Sequence, residues 1–381
     1  GFQANQGGPR PGAGPVFFPH CVGRMPAAPK TAWGAWIPAN HPQLRWEGRL
    51  RFDADRNAIF DWASVRLHFA FEGPAFSLYG HLGRNYMDAL VDGRRVAVFG
   101  RATKAPSLAW EGLGVRPQAS GGTPAYRVQG LGAGKHEVVL AKRTGPQWAE
   151  VTVLGLRLEA QSVLLDPPLA RARRLEFVGD SLTVGYGNEG PGVECVDLPV
   201  YENSSLAWAR LCSEALGAEA HLIANSGHGL LRNYAAPGPR SDDAMPSRYN
   251  GYLFTDAKGR WDRERYKPQC CVVLLGSNDH STEPSPTADD FVEAYRAFLG
   301  RVREGRPGLG VVCAYVADEA SAPRVARAVK EELAAGHKVL ALALPSRGKP
   351  EQMGCDFHPK VALHRSWAGL AEAAIRKMTD W

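Results

Sequence analysis

The chain has 381 residues, 44% of them hydrophobic, enough to bury a large core and more in keeping with two domains than with one or three. Its formal net charge of +6 is spread through segments such as Arg171-Ala172-Arg173-Arg174 and forms no long basic block, so no nucleic-acid partner is expected. No apolar run approaches the roughly 20 residues that cross a bilayer, so no membrane partner is expected either.

The first residue is Gly1 and not Met, so an upstream segment is expected to have been removed, and the lack of an apolar signal stretch in residues 1–10 carries no address. Seven cysteines (Cys21, Cys195, Cys212, Cys270, Cys271, Cys313, Cys355) show no Cys-x-x-Cys spacing, which argues against a zinc ribbon and a complete disulfide framework. The odd number leaves at least one thiol unpaired or paired between chains.

In chain order, residues 1–15 are rich in Gly, Pro, Asn and Gln and read as the start of a flexible or extended lead-in over residues 1–45. From there the period becomes two: Val65, Leu67, Phe69 and Phe71 alternate with Arg66, His68 and Ala70, the pattern of a half-buried strand. Strands are also predicted at residues 75–80, 86–91, 95–99, 135–141 and 150–158, with Asp92-Gly93 as a hairpin turn. Strands without helices imply an all-β sandwich or jelly-roll domain over residues 46–165.

The pattern changes at Pro167-Pro168. Apolar runs at residues 175–178, 222–224, 271–275, 311–316 and 339–344 read as buried parallel strands, and helices are predicted from Ser204 or Ser205 to Leu216, from Thr287 to Val302 and from Val361 to Met378. This α/β order predicts a doubly wound domain over residues 170–381.

Ligands of such sheets gather beyond the carboxyl ends of the strands. Directly after predicted strands stand Gly179-Asp180-Ser181-Leu182, Asn225-Ser226-Gly227-His228-Gly229 and Gly276-Ser277-Asn278-Asp279, and Gly354-Cys355-Asp356-Phe357-His358-Pro359 precedes the last helix. Each alone is an ordinary turn or cap. Together they supply a serine nucleophile, oxyanion donors in the Ser181 and Gly227 N–H groups and the Asn278 amide, and a histidine base with Asp356 nearby.

These four segments resemble the sequence blocks of SGNH (GDSL) hydrolases, whose catalytic domain is a flavodoxin-like three-layer α/β/α fold. With the β-rich first half, and with Gly185-Tyr186-Gly187-Asn188-Glu189-Gly190 and Glu202-Asn203-Ser204-Ser205, the chain is most similar to carbohydrate esterase family 2. The resemblance implies a serine esterase removing O-acetyl groups from xylan, glucomannan or their oligosaccharides, with Ser181, His358 and Asp356 as the catalytic set. It implies a secreted or periplasmic, monomeric enzyme with no cofactor and no metal. Many SGNH enzymes carry the orienting acid three residues before the histidine, where this chain has Cys355. The resemblance therefore leaves two orienters for His358, the Asp356 carboxylate or a backbone carbonyl.

Tyr186 and Trp261 are candidate sugar platforms because flat aromatic faces stack on sugar rings. His228 and His280 have no sequence partner that suggests metal ligation and read as pocket wall or surface. Two other readings are a lipase or lysophospholipase of the same superfamily and a non-catalytic carbohydrate-binding protein.

Overall fold

The structure, a computed structural model, describes residues 32–100, 114–115, 118–120, 122–195, 198–256 and 258–381. Most of the expected lead-in, residues 1–31, lies outside the described residues. Residues 33–45, placed in that lead-in by composition, instead join the β-rich half: Ile37–Pro38 pairs with Val151–Leu158, and Ala39 and Leu44 are buried.

Two seven-stranded sheets make up the first half. One runs Gln118–Ser120, Thr123–Val128, Phe76–His81, Val151–Leu158, Ala58–Phe60, Arg51–Phe52. The other runs Val163–Leu165, Arg66–Glu72, Lys135–Lys142, Met87–Val91, Arg94–Phe99, Gly114–Val115. Pairing is antiparallel except between Arg94–Phe99 and Gly114–Val115. The six strands expected from alternation form within a residue of their predicted ends. Asp92 and Gly93 both take positive φ, 51° and 76°, as a primed hairpin turn requires. Inward-facing Phe69 and Phe71 of one sheet meet Phe76 of the other edge to face, 5.3 and 5.9 Å between centroids.

The strand at Arg66–Glu72 departs from half-burial, because His68 and Ala70 on its outer face are also buried. Buried Glu47 accounts for His68: it contacts His68 Nε2 at 3.1 Å and accepts from Arg210 of the second half at 2.6 Å. Arg49 likewise meets Glu176 at 3.1 Å with both side chains at most 1% exposed. Such pairs tie the two halves together, since removing one partner strands a buried charge in the other.

The second half is a five-stranded parallel sheet of β1 (Arg173–Gly179), β2 (Ala218–Ala224), β3 (Cys270–Leu274), β4 (Gly310–Val316) and β5 (Val339–Leu344), ordered β2-β1-β3-β4-β5. That is the flavodoxin-type order, with a switch point where the chain leaves β1 in opposite directions for β2 and β3. Helices α1 (Ser181–Val184), α2 (Trp208–Ala215), α3 (Ala288–Arg303), α4 (Ala322–Ala334) and α5 (Val361–Thr379) follow in sequence. Leu175, Phe177, Val272 and Val312 face α2 and α5, whereas Val178, Val273, Val311 and Cys313 face α3 and α4, so alternate residues of each strand serve two cores.

Thr287 caps α3, accepting from Asp290 N. The helix expected from Ser204 or Ser205 is split: Asn203 caps a short 3-10 turn, Ser204–Leu206, and α2 begins only at Trp208. β5, expected to be buried, is an edge strand with Ala341 and Ala343 exposed. Among the described residues no helix is long and apolar enough to cross a membrane.

Candidate active site

Ser181 is the first residue of α1, directly beyond the carboxyl end of β1. The turn is held by Asp180, whose Oδ1 accepts from Leu182 N at 3.0 Å and whose Oδ2 receives Asn278 Nδ2 at 3.2 Å. Burial pushes the Asp180 carboxyl up to about 7. Asn278 stands beyond β3, so the switch point brings these two turns together across neighbouring strands. The Asn278 amide also donates to the His228 carbonyl at 3.0 Å.

Gly227 lies beyond β2 at φ 77°, a left-handed backbone that side chains resist. The loop after it is braced by the buried Asp279, whose carboxylate accepts from Leu230, Leu231 and Arg232 N–H groups at 2.9, 2.6 and 2.9 Å. A second brace comes from the β-rich half. Buried Glu202 accepts from Gln147 Nε2 and Trp148 Nε1, while Gln147 N donates to Asn225 Oδ1 and its amide reaches Ser226 Oγ at 3.1 Å. Burial raises the Glu202 carboxyl to about 7.

His358 Nε2 lies 2.8 Å from Ser181 Oγ. Its other nitrogen, Nδ1, faces the backbone carbonyls of Asp356 at 2.9 Å and Cys355 at 3.2 Å. A carbonyl only accepts, so Nδ1 carries the hydrogen and Nε2 presents its lone pair to the serine. The Asp356 carboxylate, one of the two orienters considered, does not reach the imidazole; it points to Tyr186, whose hydroxyl donates to Oδ2 at 2.8 Å. Burial first, and the Arg347 guanidinium second, lower His358 to about 4.

A 560 Å³ cleft opens over this pair, lined by Ser181, Gly227, Asn278, Tyr186, Arg347 and His358 among others. The Tyr186 ring stands 4.6 Å from that of His358. Tyr234 and Phe357, which the sequence did not single out, also line the cleft and are 59% and 61% exposed. Trp261 does not line it. It is packed between Tyr252, His221 and the Arg49 and Arg265 guanidiniums, beside a separate cavity with Lys267 and Lys338, which removes it as a platform at this site. His228 packs on Phe254 and His280 on Phe291. Among the described residues no three His, Cys, Asp or Glu side chains are grouped to hold a metal ion.

Residues 177–365 match the GDSL-like lipase/acylhydrolase family, and residues 46–168 match the carbohydrate esterase 2 N-terminal family. A solved family two carbohydrate esterase from Clostridium thermocellum, in complex with cellohexaose, is 30% identical with a TM-score of 0.78, over 89% of this chain and 99% of that one. The chain belongs to carbohydrate esterase family 2. Among curated relatives, cellulase/esterase CelE of Acetivibrio thermocellus is 30% identical over 90% of this chain, and an acetylxylan esterase / glucomannan deacetylase of Cellvibrio japonicus is 32% identical over 62% of it. The chain spans 40% and 61% of the length of these two relatives.

Proposed function

We propose that this family 2 esterase hydrolyses O-acetyl esters on polysaccharide, with acetylated xylan or glucomannan as substrate, through an acetyl-enzyme on Ser181. The observation that carries the proposal is the 2.8 Å contact between Ser181 Oγ and His358 Nε2 at the floor of an open cleft. Nε2 takes the hydroxyl proton while Oγ attacks the acetyl carbonyl. The oxyanion is met by the Ser181 and Gly227 N–H groups and by the Asn278 hydrogen that otherwise goes to Asp180. His358 then returns its proton to the departing sugar oxygen. In the second half-reaction it takes a proton from water, which attacks the acetyl carbonyl and frees Ser181.

The Asp356 and Cys355 carbonyls keep the imidazole in the tautomer this cycle needs, so Ser181 and His358 act as a dyad. Asp356 serves by its backbone and by holding Tyr186 at the cleft wall. We read the β-rich half, residues 33–165, as a jelly-roll module and 170–381 as the catalytic module, of a monomeric enzyme. A polymeric substrate and a disulfide between partly buried Cys195 and buried Cys355 both suit a compartment outside the cytoplasm.

Arg347, Asp356 and Asn278 in the cleft wall, beside the aromatic faces of Tyr186, Tyr234 and Phe357, favour a small acyl group on a hydroxyl-rich leaving group over a lipase's fatty chain. Rates on 4-nitrophenyl esters of increasing chain length, with acetate release from a panel of acetylated glycans, test this. The proposal expects activity confined to the shortest acyl groups and acetate from at least one glycan. Preference for long chains would support the lipase reading, and glycan binding without acetate release the non-catalytic one.

A further inference from the structure

The segment that carries His358 is strained. Asp356 and Phe357 take φ of 49° and 58°, two consecutive non-glycine residues in the left-handed region. This twist turns the Cys355 and Asp356 carbonyls back onto His358 Nδ1. Strained backbone persists only where its surroundings over-determine it. Asp356 and Phe357 are themselves exposed, so little side-chain packing holds them.

The ends of the segment are pinned by Gly354 N–H donating to the His358 carbonyl at 2.7 Å and Lys360 N–H to the Gln352 carbonyl at 2.9 Å, and the Tyr186 hydroxyl holds the Asp356 carboxylate; the twisted residues themselves are anchored mainly through Cys355. Its side chain is fully buried against Tyr86, Val98, Val200 and Tyr201. Its N–H donates to Gly187 O, and the next N–H, of Asp356, donates to Val193 O. Its sulfur is bonded to Cys195, 160 residues away in sequence. Two glycines make room for that bond: a Cβ at Gly190 would stand 2.5 Å from Cys355 Sγ, and one at Gly187 would stand 2.6 Å from Cys355 Cβ. The other described cysteines, Cys212, Cys270, Cys271 and Cys313, are buried free thiols.

We propose that the Cys195–Cys355 disulfide is the positioning device for His358, taking by covalent anchorage the part that a carboxylate three residues before the histidine plays in other hydrolases of this superfamily. Anchoring Cys355 fixes the carbonyls that orient the imidazole, so the esterase should be fully active only in its oxidised form. The inference rests on His358 being the general base.

The test uses two routes to the open form. A dithiol reductant such as dithiothreitol delivers two electrons and two protons to the disulfide, leaving Cys195 and Cys355 as thiols and itself becoming a cyclic disulfide. Cys195→Ala breaks the same bond and leaves Cys355 and its carbonyl in place. Misplacing a catalytic group by about 1 Å costs on the order of a hundredfold in rate. Well below the unfolding temperature, kcat on 4-nitrophenyl acetate should therefore fall roughly 10- to 100-fold with little change in KM, and reoxidation of the reduced wild type should restore it.

The acid limb of the pH profile should also move up as water reaches the imidazole. Arg347, Asp356, Tyr186, His364 and the Ser181 hydroxyl, which face or act on His358, all remain. If the open form only melts earlier, with kcat and the acid limb unchanged, the disulfide is merely structural and the inference is overturned. His358→Ala separates the two failures: an active His358→Ala refutes the general-base reading itself, whereas an inactive one beside a fully active open form refutes only the positioning role.

Discussion

The pH dependence of the wild-type enzyme follows from the surroundings of His358. In the proposed cycle His358 must be neutral to accept the Ser181 proton, and burial with the nearby Arg347 charge brings the imidazole down to about 4 from its ordinary value near 6.5. Folding depresses this pKa, so the neutral form is retained as pH falls below 6.5 and is lost only through about 4. At pH 5 a base of pKa about 4 is roughly 90% neutral, whereas one at 6.5 is roughly 3% neutral, a difference of about thirtyfold in kcat/KM. Initial rates on acetylated xylo-oligosaccharides from pH 3.5 to 8, at constant ionic strength, should therefore show an acid limb well below 6. Arg347→Met removes the second cause but not the first, so its limb should rise without reaching the ordinary histidine range. Tryptophan fluorescence checks that the protein stays folded, because buried His221 and His364, both lowered to about 3, favour unfolding as pH falls below 6.5. A wild-type acid limb at 6 to 7 in folded protein would refute the account of His358.

Asn278→Ala should lower kcat about a hundredfold or more, the usual worth of an oxyanion donor, with a small change in melting temperature; steady-state kinetics and a thermal melt check both. Asp356→Asn should cost less than about tenfold in kcat, because its carboxylate holds Tyr186 and not the imidazole, and a loss near 10⁴-fold would return it to the role of a triad acid. Asp279→Ala leaves three N–H groups, two of them buried, without their acceptor and should destabilise the fold by about 3 kcal/mol, measured by denaturant unfolding.

The parts of this structure readable from sequence are those with a local signature. Period-two alternation marks the long β strands, apolar runs bounded by turns mark the parallel strands, and the positions of Ser181, Gly227, Asn278 and His358 just beyond strands or before the last helix mark the candidate site, whose side chains the fold brings together. Features that depend on distant partners stayed hidden. Trp261 lies 17 residues before Asn278, yet its ring is turned toward Arg49 and Arg265, a choice made by packing of the two halves. Two consecutive left-handed residues at 356–357 decide that a carbonyl and not a carboxylate meets His358, and neither Asp nor Phe announces that conformation. The Cys195–Cys355 bond and the Glu202–Gln147 brace join residues 160 and 55 positions apart, which spacing alone does not pair. Asp279 carries no local sign of its bracing role beside Asn278, although three N–H groups converge on it.

Acetate release from acetylated xylan and glucomannan, measured side by side for the wild type and Ser181→Ala at equal folded concentration, tests the central claim most directly. The account predicts acetate from the wild type on at least one of these glycans and a loss of three or more orders of magnitude in Ser181→Ala, whose thermal melt should be unchanged. Full activity in Ser181→Ala, or no acetate from either glycan with the wild type, would contradict it.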